Sequence, residues 1–532
     1  MPGGVEKIST LKSFLINAAA VLGASLLFAG SFPNPLFPEG IPVLAWAAYL
    51  PVFWTLRRAG LGASVFWGAL YGFVSYSLFI PWIRAFDPLA GTVVSLVQLC
   101  YMALLFPLLK LALILYPRKG YLLQWLLWLG YEYLRTLGFL GFSYGITGYT
   151  QWRVLPVIQI ASVFGVWGVS ALVVFPSVYG AALCAGGREF FRRERLSPVL
   201  WAAFLALTVA FGLVPRDYAG ERTAKVALIQ QNTDPWRGGA AEYRQDLRTL
   251  IRLSRDALAG TPDTDLVVWP ETAFVPRIYW HINYRDNDTL YPLVKDLMEF
   301  LKTQGPPYLI GNDDARLEVD ASGIWARTDY NGALLFQGET IRGVYRKMRL
   351  VPFTEYFPYA KTFPRLYRIL TNANTHFWKP GTEAAVLSAG NIRFSAPICF
   401  EDSFGSLSRD FTRNGAELIV NLSNDAWSKS LSSQMQHLSM AVFRAVENRR
   451  SLVRATASGQ TCAVDPGGKI LAMAEPFTET FLSAEAPILN ARTLYTFWGD
   501  LWGIVFAGAA AVVLLIGTIP AILRIIKTGR MI

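Results

Sequence analysis

The chain has 532 residues, 53% of them hydrophobic and 16% charged, against roughly a quarter charged in ordinary soluble domains. Its 49 Lys and Arg outnumber 38 Asp and Glu, for a net charge of +11, and it holds four Cys and three His. These figures exclude a disordered chain, a collagen-like fibre and a disulfide scaffold, and they argue against a His-built metal site.

The charge is unevenly placed. Residues 1–214 carry 14 basic and 6 acidic side chains, residues 215–499 carry 32 and 31, and residues 500–532 carry 3 and 1. The basic excess lies in the apolar parts, the reverse of a basic face on a soluble nucleic-acid binder. Eight apolar runs are long enough to cross a bilayer, which takes about 20 residues of helix. They fall at about 12–31, 40–56, 61–83, 91–115, 121–138, 156–185, 198–215 and 501–523. The first follows Lys7 and Lys12, yet six more spans follow it closely, which favours an uncleaved helix over a signal peptide.

Loop charges set the expected orientation. With the N-terminus in the cytoplasm, the inner segments hold Lys7, Lys12, Arg57, Arg58, Arg118, Lys119, Arg188, Arg192, Arg193, Arg195, Arg524, Lys527 and Arg530. The short outer connections hold Arg84, Arg135 and Arg153. Seven spans then place residues 216–497 outside, the eighth follows in 498–532, and both termini are cytoplasmic. Inside the spans, Gly68 and Gly72 read as packing glycines. Glu132 and Arg135, one turn apart, read as a mutual ion pair near the interface, and Lys110 as a snorkelling cation.

The outer block reads as α/β. Short β-branched runs occur at Lys225–Gln231, Asp265–Trp269, Tyr308–Gly311, Arg393–Cys399 and Glu417–Leu422, with amphipathic stretches near 240–259, 286–303 and 433–448. Buried strands alternating with helices predict a layered sheet with its polar machinery at strand ends. Residues 352–381 interrupt this pattern. They are rich in Pro and aromatics (Phe353, Tyr356, Phe357, Tyr359, Phe363, Tyr367, Phe377, Trp378) and are expected to form a mobile loop near the bilayer.

Three local signals carry chemistry. Val267-Val268-Trp269-Pro270-Glu271 is a strand that stops at Pro and presents a carboxylate. Tyr345-Arg346-Lys347 precedes Leu350-Val351-Pro352-Phe353-Thr354-Glu355-Tyr356. Ala396-Pro397-Ile398-Cys399-Phe400-Glu401-Asp402 runs from a strand through a turn toward a helix. A cysteine at such a turn is expected to expose its sulfur beside the positive end of a helix, both of which favour the thiolate. With no well-placed His, the base must be a carboxylate, and a lysine can hold a developing oxyanion. Each signal alone has a plain reading: a capping Glu, a surface Lys, a buried Cys. Their order in one chain is what points to a site.

Glu, then Lys, then Cys at successive strand ends resembles the nitrilase superfamily. On this membrane frame the chain is similar to the apolipoprotein N-acyltransferases over nearly all its length. The resemblance is carried by Ile146-Thr147-Gly148-Tyr149-Thr150-Gln151, Leu228-Ile229-Gln230-Gln231-Asn232 with Trp236, and WPET at 269–272. It continues in LVPFTEY at 350–356, ICFE at 398–401, Asn424-Asp425-Ala426-Trp427 and Arg444-Ala445-Val446-Glu447-Asn448. It implies an αββα sandwich on a bundle of eight transmembrane helices. It also implies Glu271 as general base, Lys347 as oxyanion partner and Cys399 as nucleophile. Glu355 and Glu401 match supporting acidic positions, and Trp236 a loop residue near substrate. Phe400 stands where the family often has Tyr, Ser428-Lys429 where Phe-Gly is common, and Cys462 is expected to be free and structural.

The implied reaction moves an acyl chain from a phospholipid to Cys399 as a thioester, then to the free amine of a diacylglyceryl-cysteine at a lipoprotein N-terminus. It needs no metal or organic cofactor, and its partners are two lipidic substrates and the bacterial inner membrane. A membrane-anchored amidase or nitrilase-type hydrolase is the alternative; it would need one tether where eight spans are present. A transporter or receptor carrying an inert module has no reason to keep Glu271, Lys347 and Cys399 together.

Overall fold

The computed structural model describes residues 3–234, 236–319, 323–372 and 376–528. The chain divides into two compact units. One is helical and comprises Met1–Val214, Ser430–Ser439 and Trp498–Ile532; the other is α/β and comprises Pro215–Lys429 and Met440–Phe497.

In the helical unit, six helices among the described residues are long and apolar enough to cross a membrane. They are Leu11–Ser31, Leu61–Phe79, Pro88–Leu115, Ala161–Arg193, Leu196–Leu213 and Leu501–Pro520. Leu196–Leu213 buries only Thr208 and presents Leu196, Leu200 and Leu207 outward, a surface suited to lipid and costly in water. Two expected spans are shorter than expected. Residues 40–56 form a tight turn at Pro42–Trp46 and a nine-residue helix, Leu50–Arg58, with prolines opening both. Residues 121–138 yield a 15-residue helix, Gly120–Leu134. Pro at a first helical turn starts a new helix and cannot continue an old one, which accounts for the first break. Of the basic residues used for orientation, Arg530 and the side chains of Lys7, Arg524 and Lys527 lie outside the described residues.

Gly68 and Gly72 are packing residues. A methyl on Gly68 would stand 2.3 Å from the Met102 carbonyl oxygen, and one on Gly72 2.4 Å from that of Gln98. The helices Leu61–Phe79 and Pro88–Leu115 therefore meet backbone to backbone. Glu132 and Arg135 differ from the expected mutual pair. The Glu132 carboxylate accepts from the Thr147 backbone N–H at 3.1 Å and from the Thr147 hydroxyl. The Arg135 guanidinium donates to the Tyr144 carbonyl at 2.6 Å and to the Tyr76 hydroxyl. Both are buried. The segment after their helix supplies each with neutral partners of its own, and those bonds replace the ion pair.

The α/β unit holds two six-stranded sheets. The first contains β1 (Thr223–Gln230), β2 (Leu266–Trp269), β3 (Tyr308–Val319), β4 (Trp325–Gln337), β5 (Thr340–Arg346) and β12 (Thr480–Pro487), in the order β12-β1-β2-β3-β4-β5. The second contains β6 (Val386–Ala389), β7 (Ile392–Ser395), β8 (Leu418–Ser423), β9 (Ser451–Thr456), β10 (Cys462–Val464) and β11 (Ile470–Met473), in the order β11-β10-β9-β8-β7-β6. Strands β1, β2 and β3 run parallel, as do β7, β8 and β9.

Side-chain alternation along β1 and β2 builds two cores. Val226, Leu228, Leu266 and Val268 face the second sheet and join Phe394, Leu418, Val420, Leu422, Val453 and Ala455. Ala227, Ile229, Val267 and Trp269 face outward onto Leu247, Leu250 and Leu253 of helix Ala240–Gly260 and onto Leu293, Val294 and Leu297 of helix Tyr291–Lys302. Strands buried on both faces read as continuous apolar runs, as the sequence showed. The result is sheet on sheet with helices outside. Polar groups concentrate at the carboxyl ends of the parallel strands.

Candidate active site

Strand β2 ends at Trp269 because Pro270 has no N–H to extend the ladder. The chain turns there against Gly311, where a Cβ would stand 2.2 Å from the Pro270 carbonyl oxygen. That turn delivers Glu271 into a buried position. Its Oε1 accepts from Asn331 Nδ2 at 2.9 Å and Lys347 Nζ at 3.1 Å, and its Oε2 accepts from the Asn424 backbone N–H at 3.1 Å. Lys347 follows β5 directly, and its N–H donates to the Asn331 carbonyl at 2.8 Å. Its ammonium is fully buried and donates to Glu355 Oε1 at 2.8 Å as well as to Glu271. Burial opposes the charge on Lys347, but Glu271 and Glu355 overcome it and hold its pKa well above the usual lysine value. The other oxygen of Glu355 accepts the Val351 N–H at 2.8 Å.

Cys399 sits where β7 has given way to a bend, one residue after the bridge between Ile398 and Leu422. Its φ is +53°, in the left-handed region, which costs a side-chain-bearing residue energy and recurs at functional positions. Its carbonyl accepts from Asn421 Nδ2 at 3.1 Å. The thiol differs from the sequence expectation. Burial and the neighbouring Glu271 carboxylate push it well above the usual cysteine value, with Lys347 opposing. The turn after it, Cys399–Ser403, is only five residues, and the helix Gly405–Arg413 begins later, so little helix-end charge acts on the sulfur. The Cys399 thiol therefore rests neutral, within reach of the Glu271 charge.

Glu401 binds the two halves of the site together. It accepts from the backbone N–H groups of Ile398, Met348 and Arg349 at 2.7 to 2.9 Å, and from the Tyr345 hydroxyl at 2.9 Å. Burial pushes its carboxyl up to about 7, with those donors resisting. A carboxyl raised in the folded state binds its proton more tightly there than when unfolded. The stability this adds is complete below the unfolded value of 4.5 and is lost as pH rises through about 7. The melting temperature in detergent is therefore expected to decline between pH 5 and pH 8 in the wild type and to decline less in Glu401→Gln. Parallel profiles for the two proteins would contradict this.

Phe400 packs on Phe404, with ring centroids 5.3 Å apart, and the Lys347 ammonium stands 5.6 Å from its ring centre. The ring takes a face toward the cation where a hydroxyl is absent. Trp236 is 63% exposed on the loop after β1. In the aromatic segment Phe357 is 5% exposed and packs on Phe353, Tyr359 and Tyr367 at 5.7 to 6.4 Å, whereas Tyr359, Phe363 and Ile369 face outward. Phe357 is thus local core and its neighbours are surface. Cys462 is free and buried, and its burial pushes the thiol up to about 12.

Sequence reasoning gave no role to Asn331, Tyr345 or Asn424. Asn331 carried a usable signal, a buried polar residue on a strand whose next residues, Gly332 to Phe336, are otherwise apolar or glycine.

The comparisons with known proteins divide the chain at the same place. A family model described as "Apolipoprotein N-acyltransferase N-terminal domain" matches residues 24–179, and one described as "Carbon-nitrogen hydrolase" matches residues 225–493. A Treponema pallidum protein named "Apolipoprotein N-acyltransferase 1" is 47% identical, over 98% of both chains. The chain belongs to the apolipoprotein N-acyltransferases. A Treponema denticola protein of the same name is 43% identical over 91% of this chain and 93% of its own. An "Apolipoprotein N-acyltransferase" from Geobacter metallireducens is 35% identical over 93% and 94%. Among solved structures, nitrilase-superfamily Nit3 of Saccharomyces cerevisiae is 19% identical over 53% of this chain and 95% of its own, at a TM-score of 0.37. This member of the family is an N-acyltransferase with a carbon-nitrogen hydrolase domain, it associates with membrane, and its substrates are lipidic.

Proposed function

We propose that the chain transfers an acyl group from a phospholipid, by way of a thioester on Cys399, to the α-amine of a diacylglyceryl-cysteine at a lipoprotein N-terminus. Glu271 takes the proton of the neutral thiol as sulfur attacks the ester carbonyl. Lys347 stabilises the oxyanion that forms. The tetrahedral intermediate collapses, the C–O bond breaks, and the proton leaves with the lysophospholipid hydroxyl. In the second half the amine attacks the thioester, Glu271 accepts the ammonium proton, and the C–S bond breaks to restore the thiol. An amine displaces a thiolate from a thioester far more readily than an alkoxide from an ester, which gives the covalent step its purpose.

One observation carries this reading: a buried carboxylate that keeps hydrogen-bond donors on both oxygens, beside a buried ammonium, next to an uncharged thiol. The base is held in place and the nucleophile is released only when its proton moves. The site lies in the bacterial inner membrane protein's outer unit, with both termini in the cytoplasm. The excess of Lys and Arg on alternate connections supports that orientation. The test is mass spectrometry of purified protein incubated with phospholipid vesicles alone. An acyl mass on the peptide containing Cys399, removed by a dipalmitoylglyceryl peptide with a free N-terminus, is expected. An acyl mass elsewhere, or none, would overturn the assignment.

A further inference from the structure

Behind the sulfur lies a buried charge cluster to which the proposed chemistry assigns no part. Asn421 on β8 and Arg454 on β9 are direct partners across the two parallel strands, and both are fully buried. Arg454 Nε donates to Asn421 Oδ1 at 3.0 Å, and its Nη2 donates to Asp425 Oδ2 at 3.0 Å. Asp402, three residues beyond Cys399 in the same turn, stands 3.6 Å from Arg454 Nε. A guanidinium wholly removed from water is held only where its charge and donors are met. Here the charge faces Asp425 and Asp402, and Nε and Nη2 donate to groups that lead to both reacting residues.

On one side, Asn421 relays to the nucleophile. Its Nδ2 donates to the Cys399 carbonyl at 3.1 Å and the Pro397 carbonyl at 3.2 Å, fixing the peptide on either side of the left-handed turn. On the other side, Asp425 relays to the base. It is itself left-handed, with φ +32°, and its Oδ1 accepts the Ser423 hydroxyl at 2.8 Å. That fixes the turn in which the adjoining Asn424 N–H reaches Glu271 Oε2 at 3.1 Å. Gly459 packs closely on Asp425: a Cβ there would stand 2.6 Å from the Asp425 Cβ.

We infer that Arg454 is a positioning residue for catalysis, setting the Cys399 turn through Asn421 and the Glu271 carboxylate through Asp425 and Asn424. The inference rests on the roles proposed for Cys399 and Glu271. It predicts that loosening either relay lowers the rate of the acylation step while leaving donor binding alone, since Asn421, Arg454, Asp402 and Asp425 are all buried away from the surface. Loss of alignment on the scale of an ångström costs on the order of 100-fold in rate.

The experiment uses the full-length protein in phospholipid vesicles, with active sites counted by alkylation of Cys399. Asn421→Ser cuts the tether to Cys399 and leaves Arg454 with both carboxylates. Gly459→Ala pushes Asp425 without changing any charge. Each is expected to lower kcat for lysophospholipid release per counted site by 10-fold or more, with KM for the donor within about twofold. Arg454→Lys, which keeps the charge but loses the fork, is expected to fall between the wild type and Arg454→Met. Should Arg454→Met fail to fold, the first two variants carry the test. Unchanged kcat per counted site in Asn421→Ser and Gly459→Ala, with only yield or melting temperature reduced, would overturn the inference. Absence of an acyl mass on Cys399 in the wild type would instead overturn the proposed function.

Discussion

Cys399→Ser is expected to fold, to sit in the membrane as the wild type does, and to lose acyl transfer by at least on the order of 1,000-fold. The reason differs from the one the sequence offered. A strand-to-helix turn suggests a sulfur already ionised at rest. In the structure burial and the Glu271 carboxylate hold the thiol neutral, so its advantage over an alcohol is not a standing charge. On the proposed roles, the advantage lies in how readily Glu271 can remove the proton during attack, and in how reactive the acyl-enzyme is toward an amine. A thiol is far more acidic than a hydroxyl, and a serine ester, if it formed, would resist the amine that must displace it. The variant is therefore expected to fail in both halves: no acyl mass on the peptide with residue 399, and no transfer to a lipidated peptide. Cys462→Ser provides the control. That thiol is buried within β10, so its loss is expected to cost stability while folded molecules turn over normally. Turnover by Cys399→Ser within 10-fold of wild type would remove Cys399 from the chemistry.

How much of this was visible in the sequence depends on how local each cause is. β2, β7 and β8 were legible because strands buried on both faces are unbroken apolar runs. Strands β4 and β5 were not. In β4 the residues Arg327, Asp329 and Asn331 make its first half read as loop, although Asp329 and Asn331 are buried among partners from distant segments. Glu271 and Cys399 announced themselves as polar residues at strand ends. Lys347 was legible only through its place in the order, since nothing nearby in sequence tells a buried lysine from a surface one. Its burial follows from two carboxylates, one 76 and one 8 residues away. The same distance effect undid the Glu132–Arg135 pairing, because helical spacing shows who lies one turn away and not what the next segment brings. Span lengths failed where prolines divided an apolar run, as at 40–56. The state of the thiol failed for the related reason that a charge from β2 reaches it only in the folded chain.

Removing Lys347 is expected to have the second large effect, and Glu271→Gln shows why the two differ. The three ionisable groups of the cluster are two carboxylates around one ammonium, all at least nine-tenths buried save Glu355, whose side chain is 12% exposed. In Lys347→Ala, Glu271 and Glu355 face one another without their cation, and one of them must take up a proton. The base is then compromised along with the oxyanion, so a loss on the order of 100-fold from a missing oxyanion donor is a lower limit. In Glu271→Gln the ammonium keeps Glu355, and the amide oxygen can still accept from Asn331 or Lys347. What is lost is the proposed acceptor of the thiol proton, together with the acceptor for the Asn424 N–H. Measured on a small neutral alkylating reagent, Glu271→Gln is expected to react slowly at pH 7 and to recover as rising pH ionises Cys399 without help. That recovery is expected at lower pH than in the wild type, because a carboxylate that raises the thiol has gone. Lys347→Ala is expected to need higher pH, because a cation that lowers it has gone and, in the alkaline range where the thiol ionises, both carboxylates are charged again. Opposite displacements of the two alkylation profiles, with acyl transfer low in both, assign the base to Glu271 and the charge partner to Lys347. Displacements in the same direction would show that the two side chains act on the sulfur as one structural unit, and the separate roles would fall.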